Sequence, residues 1–226
     1  MFKVYHFKKL TSTNDRAKDF TENSVSIADE QTKGKGRFKR GWSSAKGGIY
    51  LSIVSKIKDK PSYLTLIAAI STQKAIEDIY GIKTIIKWPN DLIYNGKKVC
   101  GILTTINKQK AIIGIGMNTN NKIPFSLRNK ATSLNKILKK KVNNKKIIKR
   151  LLNHFGNYLK LLKNRKYSKI IKDWKKNSFL GFNIEVKTGN KKYIGIACNI
   201  DKNLFLILKD KEGRKIKIIE GDIIIK

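Results

Sequence analysis

An α+β body followed by a small β-barrel is the architecture this sequence predicts, and three observations carry it. Strand-like and helix-like segments are interleaved along roughly the first 178 residues. From about Gly181 the texture changes to short alternating strands, with turns at Gly189-Asn190, Asp201-Lys202-Asn203 and Glu212-Gly213. The length, 226 residues, suits one substantial domain with a small second one, and a 40% hydrophobic share is enough for a packed core. The expected division is residues 1–178 and 179–226.

Taken in order, "TSTNDRAKDF" opens with hydroxyl and amide residues before a helical pattern, so Ser12 or Thr13 is expected to cap a short helix. "SVSIADEQ" and "GGIYLSIVSKI" read as strands, and the glycine-rich basic stretch between them reads as a loop. Residues 61–80 begin with Pro and end before Gly81, the punctuation of a long, largely buried helix. "KTIIKW", "DLIYNGKKVCGILTTI" and "KAIIGIGMNT" are β-rich, the second broken by an Asn95-Gly96 turn. Helical periodicity returns at Ile147, Leu151, Leu152, Phe155, Tyr158, Leu159 and Leu162, and again from Ile170 to Trp174. The last 45 or so residues form the predicted barrel, leaning on the body.

Lys and Arg together number 50 against 16 Asp and Glu, a formal net charge of +34. That balance points to nucleic acid. The excess is mostly lysine mixed with isoleucine and asparagine, as in "NNKKIIKR", which fits compositional drift spread over solvated faces better than a dedicated nucleic-acid surface. Charge alone does not choose between them. Cys100 and Cys198 lie far apart in apolar stretches, and His6 and His154 do not cluster with them, which argues against a zinc site or a disulfide framework. No run of about 18 apolar residues exists, and "MFKVYHFKKL" lacks a signal-peptide core, so a cytoplasmic, soluble protein is expected.

"GKGRFKRGW", residues 34–42, packs four basic side chains and three glycines into nine positions. It fails the P-loop spacing, and Lys39 occupies the third glycine's place in a dinucleotide fingerprint. Gly34 and Gly36 still let backbone N–H groups approach a ligand, and Arg37 and Arg40 suit bidentate contact with phosphate or carboxylate. A second cluster joins Lys87, Trp88, Pro89, Asn90 and Asp91 to Lys98. A strand leaving at Asp91 and returning through the Asn95-Gly96 turn would set Lys98 beside Asp91 again. By itself this is a hairpin with a surface ion pair; together with the loop it suits ATP-dependent activation of a carboxylate.

The order of these motifs resembles the biotin protein ligases, in the short form without an N-terminal DNA-binding domain. The motifs are Ser12-Thr13-Asn14, "QTKGKGRFKRGW", "GGIYLS", "KWPND" at Lys87–Asp91, "KVCGIL" at Lys98–Leu103, "GIGMNTN" at Gly114–Asn120 and "LRNKATSL" at Leu127–Leu134. The tail from "GFNIEVKTG" to "EGDI" is similar to the family's SH3-like end domain. The resemblance implies a mixed-sheet catalytic domain of the biotin/lipoate ligase, class II synthetase-like type. It implies biotin and ATP as substrates, Mg²⁺ as cofactor, and transfer to a biotin carboxyl carrier domain of a carboxylase, with no membrane and no specific DNA as partners. A homodimer or acceptor contact through an exposed strand edge is expected.

By position, the family implies that Ser12, Thr13, Asn14 and Gln31 hydrogen-bond biotin, Gly34, Lys35 and Arg37 close over it, and Gly101 and Ile102 line its floor. Arg37 and Lys98 would face the carboxylate and then the adenylate phosphate. Arg40, Lys87, Asn90 and Asn118 would contact ATP, with Trp42 as an aromatic wall. Asp91 would serve Mg²⁺; separately, because the acceptor amine is protonated at neutral pH, a base is needed, and Asp91 is the residue expected to act as one. Lys35, Lys39, Ala45 and Thr105 depart from the family pattern, and Lys39 stands where glycine is usual, which implies backbone strain. A lipoate–protein ligase, an inactive relative and a basic nucleic-acid-binding protein are the rival readings.

Overall fold

The computed structural model describes residues 2–56 and 61–225. Seven strands form the main sheet: β1 (Lys3–Leu10), β2 (Ser24–Gln31), β3 (Ile49–Lys56), β4 (Ile85–Lys87), β5 (Asp91–Tyr94), β6 (Lys97–Asn107) and β7 (Lys110–Met117). Their spatial order is β1-β2-β3-β7-β6-β5-β4. Only β1 and β2 run parallel, so the sheet is mixed as expected. The predicted strand through Ile57 is described as far as Lys56; Ile57 lies outside the described residues. "KTIIKW" is a strand only over its centre.

One face of this sheet carries the long helices. Helix α2 (Ser62–Tyr80) starts after Pro61 and ends at Gly81, whose φ of +67° is the left-handed cap a glycine takes without strain. Its Thr65 hydroxyl meets that of Thr104 on β6 at 2.7 Å, which marks this as the helix side. Helix α4 (Asn144–Lys163) turns Ile147, Leu151, Phe155 and Tyr158 inward and its lysines outward, and the Asn143 side chain caps it by accepting from the Lys146 N–H at 3.0 Å. Helix α5 (Tyr167–Lys176) buries Ile170 and Trp174 against the same core. Two shorter helices are α1 (Thr13–Arg16) and α3 (Leu134–Leu138). Ser12 does occupy the cap position of α1 with an extended backbone, but its side chain makes no capping hydrogen bond.

The tail folds into a second, five-stranded antiparallel sheet: β8 (Asn183–Thr188), β9 (Lys191–Ile200), β10 (Leu206–Lys209), β11 (Lys215–Ile218) and β12 (Asp222–Ile225). Its order is β11-β10-β9-β8-β12, consistent with an SH3-like module, though among the described residues no ladder joins β12 back to β11 to close a barrel. Ile184, Val186, Ala197, Leu206 and Leu208 belong to the same continuous core as the main sheet. Directed bonds add to that packing. Trp88 Nε1 donates to the Leu204 carbonyl at 2.9 Å, and Phe179 N to the Ile86 carbonyl at 3.2 Å. The second sheet is thereby held against the edge strand β4 and the turn that follows it.

Candidate active site

Strand alternation gives the main sheet a second face, free of α2 and α4. Across its centre, Tyr50 of β3 pairs with Gly116 of β7 and Gly116 with Gly101 of β6; one row along, Ser52 pairs with Gly114 and Gly114 with Leu103. Three glycines on two adjacent central strands leave a trough where other sheets would carry side chains. Three side chains reach into it. A Cβ at Gly114 would strike the Asn14 carboxamide, and one at Gly116 would strike the Trp42 indole. At Gly101 a Cβ would meet Trp42 Cζ3 at 2.8 Å and Lys98 Cε at 2.9 Å. The glycines therefore make room for the site.

A chain of short hydrogen bonds runs across one end. The Thr13 amide and hydroxyl both donate to Gln31 Oε1, at 2.7 and 3.1 Å; Gln31 Nε2 donates to Ser44 Oγ at 2.7 Å; Ser44 Oγ donates to the Trp42 carbonyl at 3.0 Å. Ser52 Oγ lies 2.8 Å from Thr13 Oγ1 and 2.6 Å from Asn14 Oδ1. Buried amides and hydroxyls that satisfy one another are rigid, and so present a fixed donor and acceptor pattern to a neutral polar group.

The other end is charged. Lys98 Nζ lies 2.7 Å from Asp91 Oδ1 and 5.2 Å above the Trp42 ring. The hairpin expected from sequence does bring Lys98 back beside Asp91, but Lys98 is three residues from Gly101, and simple alternation would send its side chain to the helix side. A bulge between β5 and β6 corrects this: Leu92 pairs with Cys100 but Ile93 pairs with Lys98, and the extra residue, Val99, switches the phase. Asp91 Oδ1 is buried and, despite the ion pair, makes no well-angled hydrogen bond. Asn90 is pinned by donating to the Ile102 carbonyl at 2.7 Å and accepts from Arg37 Nη1 at 3.4 Å. Burial pushes the Lys87 ammonium below its usual range, partly offset by Asp91; its Nζ donates to the Ile223 carbonyl at 3.3 Å.

Over this trough folds the glycine-rich loop. Gly36 N donates to the Arg40 carbonyl at 2.7 Å and Trp42 N to the Gly34 carbonyl at 2.9 Å, closing a small hairpin. Its tip holds two consecutive non-glycine residues in the left-handed region, Phe38 at φ +53° and Lys39 at φ +58°. Each costs on the order of 1–2 kcal/mol relative to an ordinary conformation, so the strain expected at Lys39 is present. Phe38 is exposed, with the guanidinium carbons of Arg37 and Arg40 at 4.6 and 5.5 Å from its ring centroid. On one side Lys35 Nζ reaches Asp15 at 2.7 Å, a carboxyl that burial pushes up but Lys18 and Lys35 hold below its usual range overall. On the other, Arg40 makes two hydrogen bonds to Asp222 of β12, at 3.1 and 2.5 Å.

The cavity under the loop measures about 160 Å³. Of the residues singled out from sequence, Ser12, Thr13, Asn14, Gln31, Lys35, Arg37, Arg40, Trp42, Asn90, Asp91, Lys98, Gly101 and Ile102 line it. Ile102 does so through its backbone, since its side chain lies in the hydrophobic core. Gly34 stands behind the wall, where a Cβ would meet Ser44 Oγ at 2.6 Å. Lys87 points toward the second sheet. Asn118 is buried outside the cavity, its Oδ1 accepting from Asn121 Nδ2 at 3.1 Å. Sequence reading missed Ser44, Ser52, Gly114, Gly116 and Asp222. The glycines stood in a quoted motif, but nothing local says which face they open.

Among the described residues no three His, Cys, Asp or Glu side chains stand together as a metal cage. Mg²⁺ needs less from a protein: one or two carboxylates suffice when phosphates supply the remaining oxygens. Asp91, a carboxylate that lines the cavity beside Lys98, fits that role.

The biotin/lipoate A/B protein ligase family model matches residues 5–118. The bifunctional ligase/repressor BirA of Bacillus subtilis is 34% identical, over 97% of this chain and 73% of its own length. The biotin–[acetyl-CoA-carboxylase] ligase of Mycobacterium tuberculosis is 29% identical, over 88% of this chain and 78% of its own. In structure, biotin protein ligase from Aquifex aeolicus in complex with biotin and ATP superimposes with a TM-score of 0.91 at 28% identity, covering 100% of this chain and 99% of that one.

Proposed function

Because the chain belongs to the biotin/lipoate A/B protein ligase family, we propose that it activates biotin with ATP as biotinyl-5′-AMP and transfers the biotinyl group to a lysine of a biotin carboxyl carrier domain. The observation that carries this reading is the two-ended cavity, with a rigid amide–hydroxyl set at one end and Arg37, Lys98 and Asp91 at the other, under a glycine loop. Thr13, Gln31 and Asn14 are suited to a buried, neutral ureido ring, which needs paired donors and acceptors. In the first step the biotin carboxylate attacks the α-phosphate and pyrophosphate leaves. Fixed cations stabilise the charge gathering on the phosphate oxygens, and this is the role we assign to Arg37, Arg40 and Lys98. Mg²⁺, held by Asp91 and the phosphates, would supply further charge neutralisation. The closed loop then keeps water from the mixed anhydride.

In the second step the acceptor amine, with a reference pKa of about 10.4, must lose its proton to attack the biotinyl carbonyl; the amide bond forms, the mixed anhydride breaks and AMP leaves. We assign that proton to Asp91, and Asn118 and Trp42 to the adenine side of the site. Residues 1–178 would carry the chemistry, with 179–226 as the small end module. The acceptor would approach an exposed strand edge such as β1, and the cytoplasm is the proposed location; among the described residues no helix is long and apolar enough to cross a membrane.

The test is incubation with biotin, α-labelled ATP and Mg²⁺ in the absence of acceptor. Biotin-dependent biotinyl-AMP that lipoate does not support, and that Arg37→Ala and Lys98→Ala abolish, is expected. No adenylate from either acid with a folded protein would overturn the reading, and adenylate from lipoate alone would move it to the lipoate ligases.

A further inference from the structure

The loop that covers the cavity contains an internal conflict. Its tip, Phe38-Lys39, sits in a backbone conformation that side chains disfavour, yet the hairpin is closed. Something outside the loop must hold it. Lys35 is tied to Asp15 at one base of the hairpin; at the other, Arg40 reaches the second sheet. Asp222 is the first residue of β12, and it lines the cavity although it is 182 positions from Arg40. The strand is delivered there by the body itself, since Lys87 donates to the carbonyl of the next residue, Ile223.

Resting on the ligase reading above, we propose that Asp222 is a positioning residue of this enzyme: it holds Arg40, and through Arg40 the glycine loop, closed over the bound ligand. The bidentate geometry favours this over a loose surface pair, because a planar guanidinium held by two parallel bonds fixes direction as well as distance. The hydrogen bonds and charge of Arg40 hold the Asp222 carboxyl below its usual range, against the opposing effect of burial, so it is ionised at neutral pH. The small end module thereby acts on the reaction by deciding how long the loop stays shut.

The experiment compares wild type, Asp222→Asn, Asp222→Glu, Arg40→Gln and the double variant Arg40→Gln/Asp222→Asn. The readouts are trypsin cleavage at the remaining basic sites of residues 33–40 and the rate at which preformed biotinyl-AMP is released. Asp222→Asn is expected to raise both rates roughly two- to fivefold, the range an exposed ion pair allows. Asp222→Glu should recover most of the protection, and the double variant should be no faster than Arg40→Gln alone. Unchanged cleavage in Asp222→Asn, or effects of the two single changes that multiply in the double variant, would overturn the proposal. If Asp222→Asn fails to fold, an Arg40→Gln chain with wild-type loop protection overturns it equally. The trypsin comparison needs no adenylate, so a wild-type chain that makes none would defeat the ligase reading while the latch is still read.

Discussion

Lys39, at φ +58°, occupies a position where glycine would sit without strain. Replacing it should therefore help. Lys39→Gly is expected to stabilise the closed loop by about 1 kcal/mol, seen as slower trypsin cleavage at Arg37 and Arg40; cleavage that is equal or faster would show that the lysine's conformation carries no such cost. Gly116 is the converse case, a position where any side chain collides with the Trp42 indole, whose buried Nε1 has no hydrogen-bond partner among the described residues. Gly116→Val should displace Trp42 and weaken ATP binding at least about tenfold, roughly 1.4 kcal/mol, with the unfolding midpoint little changed. Titration calorimetry that finds unchanged ATP affinity would remove Trp42 from the ligand wall.

At the scale of elements, the Asn95-Gly96 turn joins β5 to β6 with φ values of +46° and +73°, the two left-handed residues of a type I′ hairpin. That turn was readable from the dipeptide alone. The Val99 bulge three residues on was not, because bulges are set by the partner strand's packing and no residue type marks them. Without it Lys98 would face α2. Between helices, Asp78 of α2 holds Arg150 and His154 of α4, the histidine at 2.8 Å. Burial pushes the Asp78 carboxyl up, but hydrogen bonds from His154 and Arg150 outweigh it and hold the group below its usual range. A depressed carboxyl stabilises the fold above its unfolded pKa of about 3.9 and loses that contribution as pH falls through the folded value. Asp78→Asn should thus cost up to about 1 kcal/mol at pH 7 and progressively less below pH 4. Urea titrations that show the same gap between the two proteins at both pH values would contradict the pairing.

For the whole molecule the governing number is a net charge of +34 on 226 residues. Self-repulsion on that scale weakens the compact state, and salt screens it, with a Debye length of about 10 Å at 0.1 M against about 3 Å at 1 M. The melting temperature is expected to rise between 0.05 and 0.5 M NaCl. A flat or falling Tm would mean that the lysines are already neutralised by local pairing. Most element types and their order, the motif chemistry and most of the cavity-lining residues could be read along the chain, because helix period, strand alternation, turn dipeptides and side-chain charge act over a few neighbouring positions; strand β1 and the short helix α3 were not read. Tertiary structure alone decided three things: that Gly101, Gly114 and Gly116 open one trough, that a bulge at Val99 turns Lys98 to the cavity face, and that Asp222 of the second sheet completes the wall around Arg40. Each depends on strand register or on packing between segments far apart in sequence, where burial of a shared core sets the geometry and no local pattern records it.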